Sequence, residues 1–291
     1  MRSHAAGNLD LHERFGAGMP DYATFAPDLF EWSRRMSLQG VVAERPALVT
    51  NNYVDTRVDS LAAHLKAQHS AEWLFYQPRN SEEHLTPHEF RTAMAIRCGT
   101  LPLETRNRYT SFRCNCGFTP VNTDDVLAHV FRCQAASTHT SSQRHNAVKY
   151  AIARALREFG VGHSVEPRFY EYADAARRPD ITAHGTPPAA IDIVISCQDG
   201  ELGDRATWWA QEKRRIHEAS VTNKGHMFFP FALEVHGHAH EDVFKFIEHV
   251  ARDLKPYERP AFKARVEHAV SSALAKAVVD CMPQVRGTRL L

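Results

Sequence analysis

The sequence predicts an α/β protein built on a small mixed sheet flanked by helices, with a helical N-terminal region and a short cysteine- and histidine-rich segment ahead of it. Three observations predict it. Short apolar runs rich in β-branched and aromatic residues cluster in the C-terminal half. Amphipathic stretches at helical spacing alternate with them. Three of the six cysteines (Cys114, Cys116, Cys133) crowd into twenty residues together with His129.

Composition sets outer limits. The chain has 291 residues, 43% apolar and 24% charged, which suits a folded core and excludes wholesale disorder. No run of 18 apolar residues exists, and the first twenty lack an apolar signal core. A soluble, non-secreted, intracellular protein with no membrane partner is therefore expected. The formal net charge of +1 hides an asymmetry: residues 1–90 carry a net −4 and the rest a net +5. A phosphate-binding surface is expected in the C-terminal two-thirds.

The first hundred residues read as helical with irregular connections. LFEWSRRM and VDSLAAHLKAQH have weak helical spacing. The firmest start signal is Thr86-Pro87-His88-Glu89, a capping box with proline in the first turn, opening a helix that closes at Gly99. No chemistry is visible here, and a support or docking role is expected.

Next comes SFRCNCGFTPVNTDDVLAHVFRC. Thr123 is a candidate cap, with Asp124 and Asp125 in the first turn, where the helix dipole favours negative charge. His129 and Cys133 are four apart, hence on one helix face, and Cys114 and Cys116 come from a tight Cys-x-Cys-Gly turn. Three thiolates and an imidazole are the tetrahedral set that structural Zn2+ takes. The Cys-x-Cys gap is tighter than usual, so free buried cysteines beside a surface histidine are the alternative. Cys98 is a substitute ligand; Cys197 and Cys281 read as small core residues.

After a polar spacer (QAASTHTSSQ), an amphipathic helix is expected over 144–160, with Val148, Ile152, Leu156 and Phe159 on one stripe and Gly160 ending it. Strand-like runs follow in HSVEPRFYEY, RRPDITAHG and AAIDIVISC. Then come a helix around TWWAQEKRRIHEAS, a strand in HMFFPFALEV and a last helix in EDVFKFIEHVARDL. The order is helix, three strands, helix, strand, helix.

Two acids stand out. Asp180 begins the second strand, and twelve residues on Asp192 interrupts an apolar one, where an unpaired charge is costly. Carboxylates on neighbouring strands can hold Mg2+, and the Glu212-Lys213-Arg214-Arg215 helix offers a cation beside them. Spacing alone leaves an alternative open, with Asp180 as a turn residue and Asp192 as a salt-bridge partner.

These segments together resemble the C-terminal region of site-specific non-LTR retrotransposon proteins, where a zinc knuckle precedes a restriction-like endonuclease of the PD-(D/E)XK type. FRCNCG with HVFRC, RHNAV, EPRFYE, RRPDI, IDIVI, EKRRIH and FFPFALEVHG run in the family's order through more than half of the chain. The segment AEWLFYQPRN…LTPHEFRTAMAIRCGTLPL is similar to the helical stretch before the knuckle. The resemblance implies a helical region over 1–100, a zinc knuckle over 101–140 and a restriction-endonuclease-like core over 141–291.

It further implies Asp180 and Asp192 as catalytic, Mg2+-binding acids and Cys114, Cys116, His129 and Cys133 as Zn2+ ligands. Val194 occupies the usual lysine position, and Lys213 fits the first lysine of a displaced Lys-x-x-Lys-Tyr pattern. Ile216 and His217 depart from the rest of that pattern. The implied activity is a Mg2+-dependent endonuclease that nicks DNA, partnered by a reverse transcriptase or larger nucleoprotein assembly in the nucleus or another intracellular compartment. No polymerase palm is recognisable in this chain. The alternative is a catalytically silent copy that binds nucleic acid or serves as a scaffold.

Arg144, His145, Arg178 and Arg214 are the candidate nucleic-acid contacts, with a capping or packing role as the alternative for Arg144 and His145, and Arg214 or Arg215 can substitute for Lys213 in a binding role only. Glu166 is read either as a third acid near the metal or as a rim salt bridge. Glu234 is suspicious for the same reason as Asp192. His236, His238 and His240 alternate and could bind a transition metal, but with no acid or cysteine cluster beside them they read as a histidine-rich loop. Trp208 and Trp209 cannot share one helix face, so one is expected in the core and the other free to stack on a base or partner.

Overall fold

The capping box predicted at Thr86 forms in both directions. Thr86 N–H donates to Glu89 Oε2 at 2.6 Å, and Glu89 N–H donates to Thr86 Oγ1 at 3.2 Å, so two free amides of the first turn are satisfied. The computed structural model describes residues 72–75, 78, 83–97, 116–119, 129–131, 133–171, 178–197 and 203–284. The helices expected in LFEWSRRM and VDSLAAHLKAQH, the cap at Thr123 with Asp124 and Asp125, and Cys98 and Cys114 lie outside these residues.

The described elements are α1 (Glu72–Phe75), α2 (Pro87–Arg97), α3 (Gln134–Glu158), β1 (His163–Val165), β2 (Ile181–Ala183), β3 (Ala189–Ser196), α4 (Asp204–Thr222), β4 (Met227–Glu234), α5 (Glu241–Arg252) and α6 (Arg259–Gln284). The strands form one sheet in the order β1-β2-β3-β4. The first three pair antiparallel, and β4 runs parallel to β3 after the α4 crossover. This is an α/β fold with a small mixed sheet flanked by helices, as the alternation of patterns predicts.

Three differences from the sequence reading have physical causes. First, α3 begins at Gln134 and absorbs the stretch read as a polar spacer. That stretch holds no glycine or proline, and extending an existing helix needs no new nucleus. At the other end α3 closes as predicted: Val161 N–H donates to Leu156 O and Gly160 N–H to Arg157 O, with Gly160 at φ +68°. This is the Schellman arrangement, which favours glycine at that position.

Second, the first strand stops at Val165. Glu166 takes φ +49°, and Pro167 has no N–H for a ladder. Third, the 26-residue α6 has no counterpart in the predicted element order. Its apolar positions Phe262, Val266, Ala269, Val270, Leu274 and Val278 do recur at helical spacing, and all are buried. The helix packs against α1, α2, α3 and α5, so apolar residues spread around it and the one-sided contrast that marks a surface helix is weak.

The main core joins α3, the sheet, α5 and α6. Val148, Ile152 and Leu156 from α3 meet Ile181, Ile191, Ile193 and Phe231 of the sheet and Phe246, Phe262 and Val266 beyond it. The central β3 reads AAIDIVIS and is largely buried, which accounts for its near-continuous apolar run. Pro230 pairs in register with Asp192 and is tolerated because β4 has only one neighbouring strand. No helix of the described residues is long and apolar enough to cross a membrane.

One buried cation ties the segment around Glu83 to α3 and α6. Arg265 on α6 is fully buried and donates through Nε to Glu158 Oε2 at 2.6 Å and through Nη2 to Glu158 Oε1 at 2.7 Å and to Glu83. Alongside it Trp73 and Ala93 pack on Val279. Arg265→Ala leaves Glu83 buried without its cation, so a loss of about 3 kcal/mol in urea-unfolding stability is expected. A loss under about 1 kcal/mol would show that the triad is not a structural tie.

Candidate functional site

The sheet brings Asp180 and Asp192 together. The β2–β3 register pairs Ile181 with Ile191, and carrying it one step places Asp180 across from Asp192. The link is direct: Asp180 N–H donates to Ile191 O at 2.9 Å, and Ile193 N–H donates to Asp180 Oδ2 at 2.7 Å. Both residues are buried, at 7% and 5% exposure. Two carboxylates this close and this dry cannot both ionise at their ordinary pKa.

Their neighbours separate them. Lys213 Nζ lies 2.5 Å and His217 Nε2 3.1 Å from Asp192 Oδ2. Burial alone would raise the Asp192 carboxyl, but His217 and Lys213 outweigh it and hold it below the usual range. Burial, with the charge of Asp192 behind it, raises Asp180 against the pull of His145 and the Ile193 amide. His145 Nε2 is 2.9 Å from Asp180 Oδ2. Burial pulls this imidazole down, yet its hydrogen bond and attraction to Asp180 leave it above its ordinary value.

Asp180, Asp192, Lys213 and His145, all singled out from the sequence, are thus in mutual reach. His217 was visible only as a departure from a Lys-Tyr pattern. It sits four residues after Lys213, one turn along the same helix face. That spacing was the signal for a second group on the same carboxylate.

Glu166 follows β1, and its N–H donates to Asp180 O at 2.7 Å. Its carboxylate is taken by Lys149 Nζ and Arg178 Nη2, each at 2.8 Å. Hydrogen bonding and charge from Lys149, then Arg178, keep that carboxyl below its usual range. Arg178 is therefore paired beside the acids and not projected freely into solvent.

Arg144 takes the packing role and not that of a surface phosphate contact: it is 2% exposed, with Nη1 3.6 Å from Cys281 Sγ and its guanidinium 5.8 Å from the Phe131 ring centre. Packing of α6 over that face of α3 turns it inward. Arg214 reaches Asp242 Oδ2 at 2.5 Å and Glu218 Oε1 at 3.2 Å. Arg215 pairs with Glu212 along the helix.

Glu234 is fully buried and works as a helix cap, its Oε1 accepting from Gly203 N–H at 3.1 Å and Ala206 N–H at 3.4 Å at the start of α4. Burial raises its carboxyl despite these amides. The predicted histidine loop separates by role: His240 Nδ1 accepts from Asp242 N–H and caps α5, and His236 stands edge-on to Phe131. Trp208 is 45% exposed beneath the Arg205 guanidinium, while Trp209 packs against the Ala206–Ala210–Ala232 cluster.

A second group lies at the start of α3. Cys116, His129 and Cys133 each offer a ligand atom, and these atoms all lie within 4.8 Å of one another. Cys116 Sγ is 3.5 Å from His129 Nε2. The His129 ring stacks on Phe118 at 4.0 Å, which fixes its orientation. Two thiolates and an imidazole form a soft donor set that can bind a metal such as Zn2+.

Two measurements test these assignments. The purified protein is expected to carry about one zinc per chain by elemental analysis, falling sharply in Cys116→Ser and Cys133→Ser; a folded wild type without zinc overturns the site. For Asp242, burial would raise the carboxyl, but His240 and Arg214 bring it down to about 2. Its stabilising charge is then complete above about pH 4 and lost as pH falls towards 2. Asp242→Asn should flatten urea-melt stability across that window, and an unchanged profile contradicts the pairing.

Compared with known proteins, the chain matches no protein-family model and no curated protein.

Proposed function

We propose that this protein is a metal-dependent endonuclease that nicks DNA, with a restriction-like core and an adjoining zinc knuckle. The observation that carries this reading is the meeting of Asp180, Asp192 and Lys213 at one end of the sheet, with Lys213 Nζ 2.5 Å from Asp192 Oδ2. The helix, three-strand, helix, strand order from α3 to β4 supports it. So does the resemblance of RRPDI, IDIVI and EKRRIH to the retrotransposon nuclease region.

The donor chemistry fits Mg2+: two adjacent carboxylates from neighbouring backbones are hard oxygen ligands. Bound there, Mg2+ supplies charge to neutralise a phosphate and to acidify a water. The remaining work falls to side chains. His217 and Lys213 keep Asp192 ionised. His145 orients Asp180 through a hydrogen bond and shares its proton. Lys213 stands where an ammonium can orient the attacking water and stabilise charge developing on the phosphate, favouring in-line displacement that leaves a 5′-phosphate and a 3′-hydroxyl.

Cys116, His129 and Cys133, with Cys114 as fourth ligand, form the zinc knuckle in this reading. It braces the start of α3, the helix that carries His145. DNA is the substrate, and a reverse transcriptase or larger nucleoprotein assembly within the cell is the partner that uses the free 3′ end.

Conversion of supercoiled DNA to nicked circles in Mg2+ tests the proposal. Asp180→Ala and Asp192→Ala are expected to abolish nicking, and Lys213→Met to slow it about 100-fold or more, while thermal melts report folding. Equal cleavage by all variants, or none by folded wild type at saturating protein, overturns it.

A further inference from the structure

We propose that Lys149 and Arg178 form a phosphate clamp for the nucleic-acid backbone beside the acid pair, and that Glu166 fills this clamp with its own carboxylate in the free protein. The inference rests on the reading that this end of the sheet handles nucleic acid, and it names a contact and a regulation of that same site.

The cluster has the build of an anion site with a floor and a rim. The Lys149 side chain is only 3% exposed, whereas those of Arg178 and Glu166 are 34% and 40% exposed. A buried ammonium is costly unless an anion meets it. Here the anion comes from the solvent side, so one anion can leave as another enters without opening the core. Glu166 bridges the two cations through different oxygens, Oε1 to Lys149 and Oε2 to Arg178. The two non-bridging oxygens of a phosphodiester can engage the same pair, and charge-assisted bonds of this kind favour phosphate as readily as carboxylate.

Position adds to chemistry. Lys149 lies one turn along α3 from His145, which touches Asp180, and residues at that spacing share a helix face. Arg178 precedes Asp180 by two residues. The Glu166 N–H donates to Asp180 O, so the clamp stands at the same end of the sheet as the acids. A phosphate held there belongs to the strand whose neighbouring phosphate faces Asp180 and Asp192.

Glu166 also holds its place under strain. Among the described residues it is the one non-glycine with positive φ, at +49°, a conformation that side-chain-bearing residues rarely adopt. The ion pairs to Lys149 and Arg178 oppose that strain. When phosphate takes over those cations, the half-exposed Glu166 side chain is free to turn into solvent.

The test is binding of a short fluorescein-labelled DNA duplex to the full zinc-loaded chain in buffer without Mg2+ or chelator, read by anisotropy. Under these conditions no cleavage step contributes. Glu166→Gln is expected to tighten Kd roughly three- to tenfold and to steepen the slope of log K against log salt by about one, the signature of an added phosphate contact. Glu171→Gln removes an exposed carboxylate paired with Lys224 and is the control for charge alone; it should change Kd less than about twofold. Adding Arg178→Gln to Glu166→Gln should return affinity to the wild-type level or below.

Unchanged or weaker binding by folded Glu166→Gln overturns the proposal. So does an equal gain in Glu171→Gln, or a gain that survives loss of Arg178. Should Glu166→Gln fail to fold, Arg178→Gln alone decides: a several-fold weaker Kd supports the clamp, and an unchanged Kd overturns it. The nicking assay in Mg2+ is read separately. Its failure, with the Glu166→Gln gain intact, removes the nuclease reading and leaves the clamp. Nicking without that gain does the reverse.

Discussion

Two carboxylates face each other across β2 and β3 in a nearly dry part of the sheet, and their mutual repulsion sets what must surround them. Neither could be held there as a bare charge. The fold answers with a different element for each: α3 delivers His145 to Asp180, and α4 delivers Lys213 and His217 to Asp192. The result is asymmetric, with Asp192 favoured as the anion and Asp180 as the proton-accepting partner. Two titratable groups driven apart in this way are what acid–base and metal chemistry use. The proposed nuclease activity is the reading that uses both acids and Lys213.

The helices that serve this pair are themselves fixed by charge and caps. Glu234, at the end of β4, accepts from the opening amides of α4, so a buried carboxylate from the sheet sets where the helix bearing Lys213 begins. Gly203 lies at that junction with φ +87°, and a Cβ there would meet His238 Nε2 at 2.6 Å. The Cys116–His129–Cys133 group gathers at the opposite end of α3 from its Schellman close. Both ends of the His145 helix thus have local chemistry that defines them.

Much of this was legible in the sequence because the signals were local. The Thr86–Glu89 capping box, the Gly160 stop, the apolar run broken by Asp192 and the four-residue gap between His129 and Cys133 each carry their meaning within one or two turns. What was not legible depends on tertiary partners. α6 buries more than one side, so its pattern lacks the contrast of a surface helix. Arg144 looks like a phosphate contact until α6 packs over it and supplies Cys281. Glu166 shows nothing in its own segment of the two cations that come to it from α3 and from the approach to β2. His217 departs from the lysine-tyrosine pattern, yet its four-residue spacing from Lys213 puts both on one helix face.

The Arg265 triad bears on modularity. Its two carboxylates come from Glu83, ahead of the cysteine cluster, and from Glu158, at the end of α3, while Trp73 and Ala93 seal against Val279 on the far end of α6. The acid-bearing sheet therefore shares its buried electrostatics with residues some hundred positions upstream. A boundary drawn at the start of α3 would cut through a core and strip one carboxylate from a fully buried guanidinium. In recombination terms the heritable unit is longer than the part that carries the acids: the helices from residue 72 onward travel with the sheet or the sheet does not travel intact.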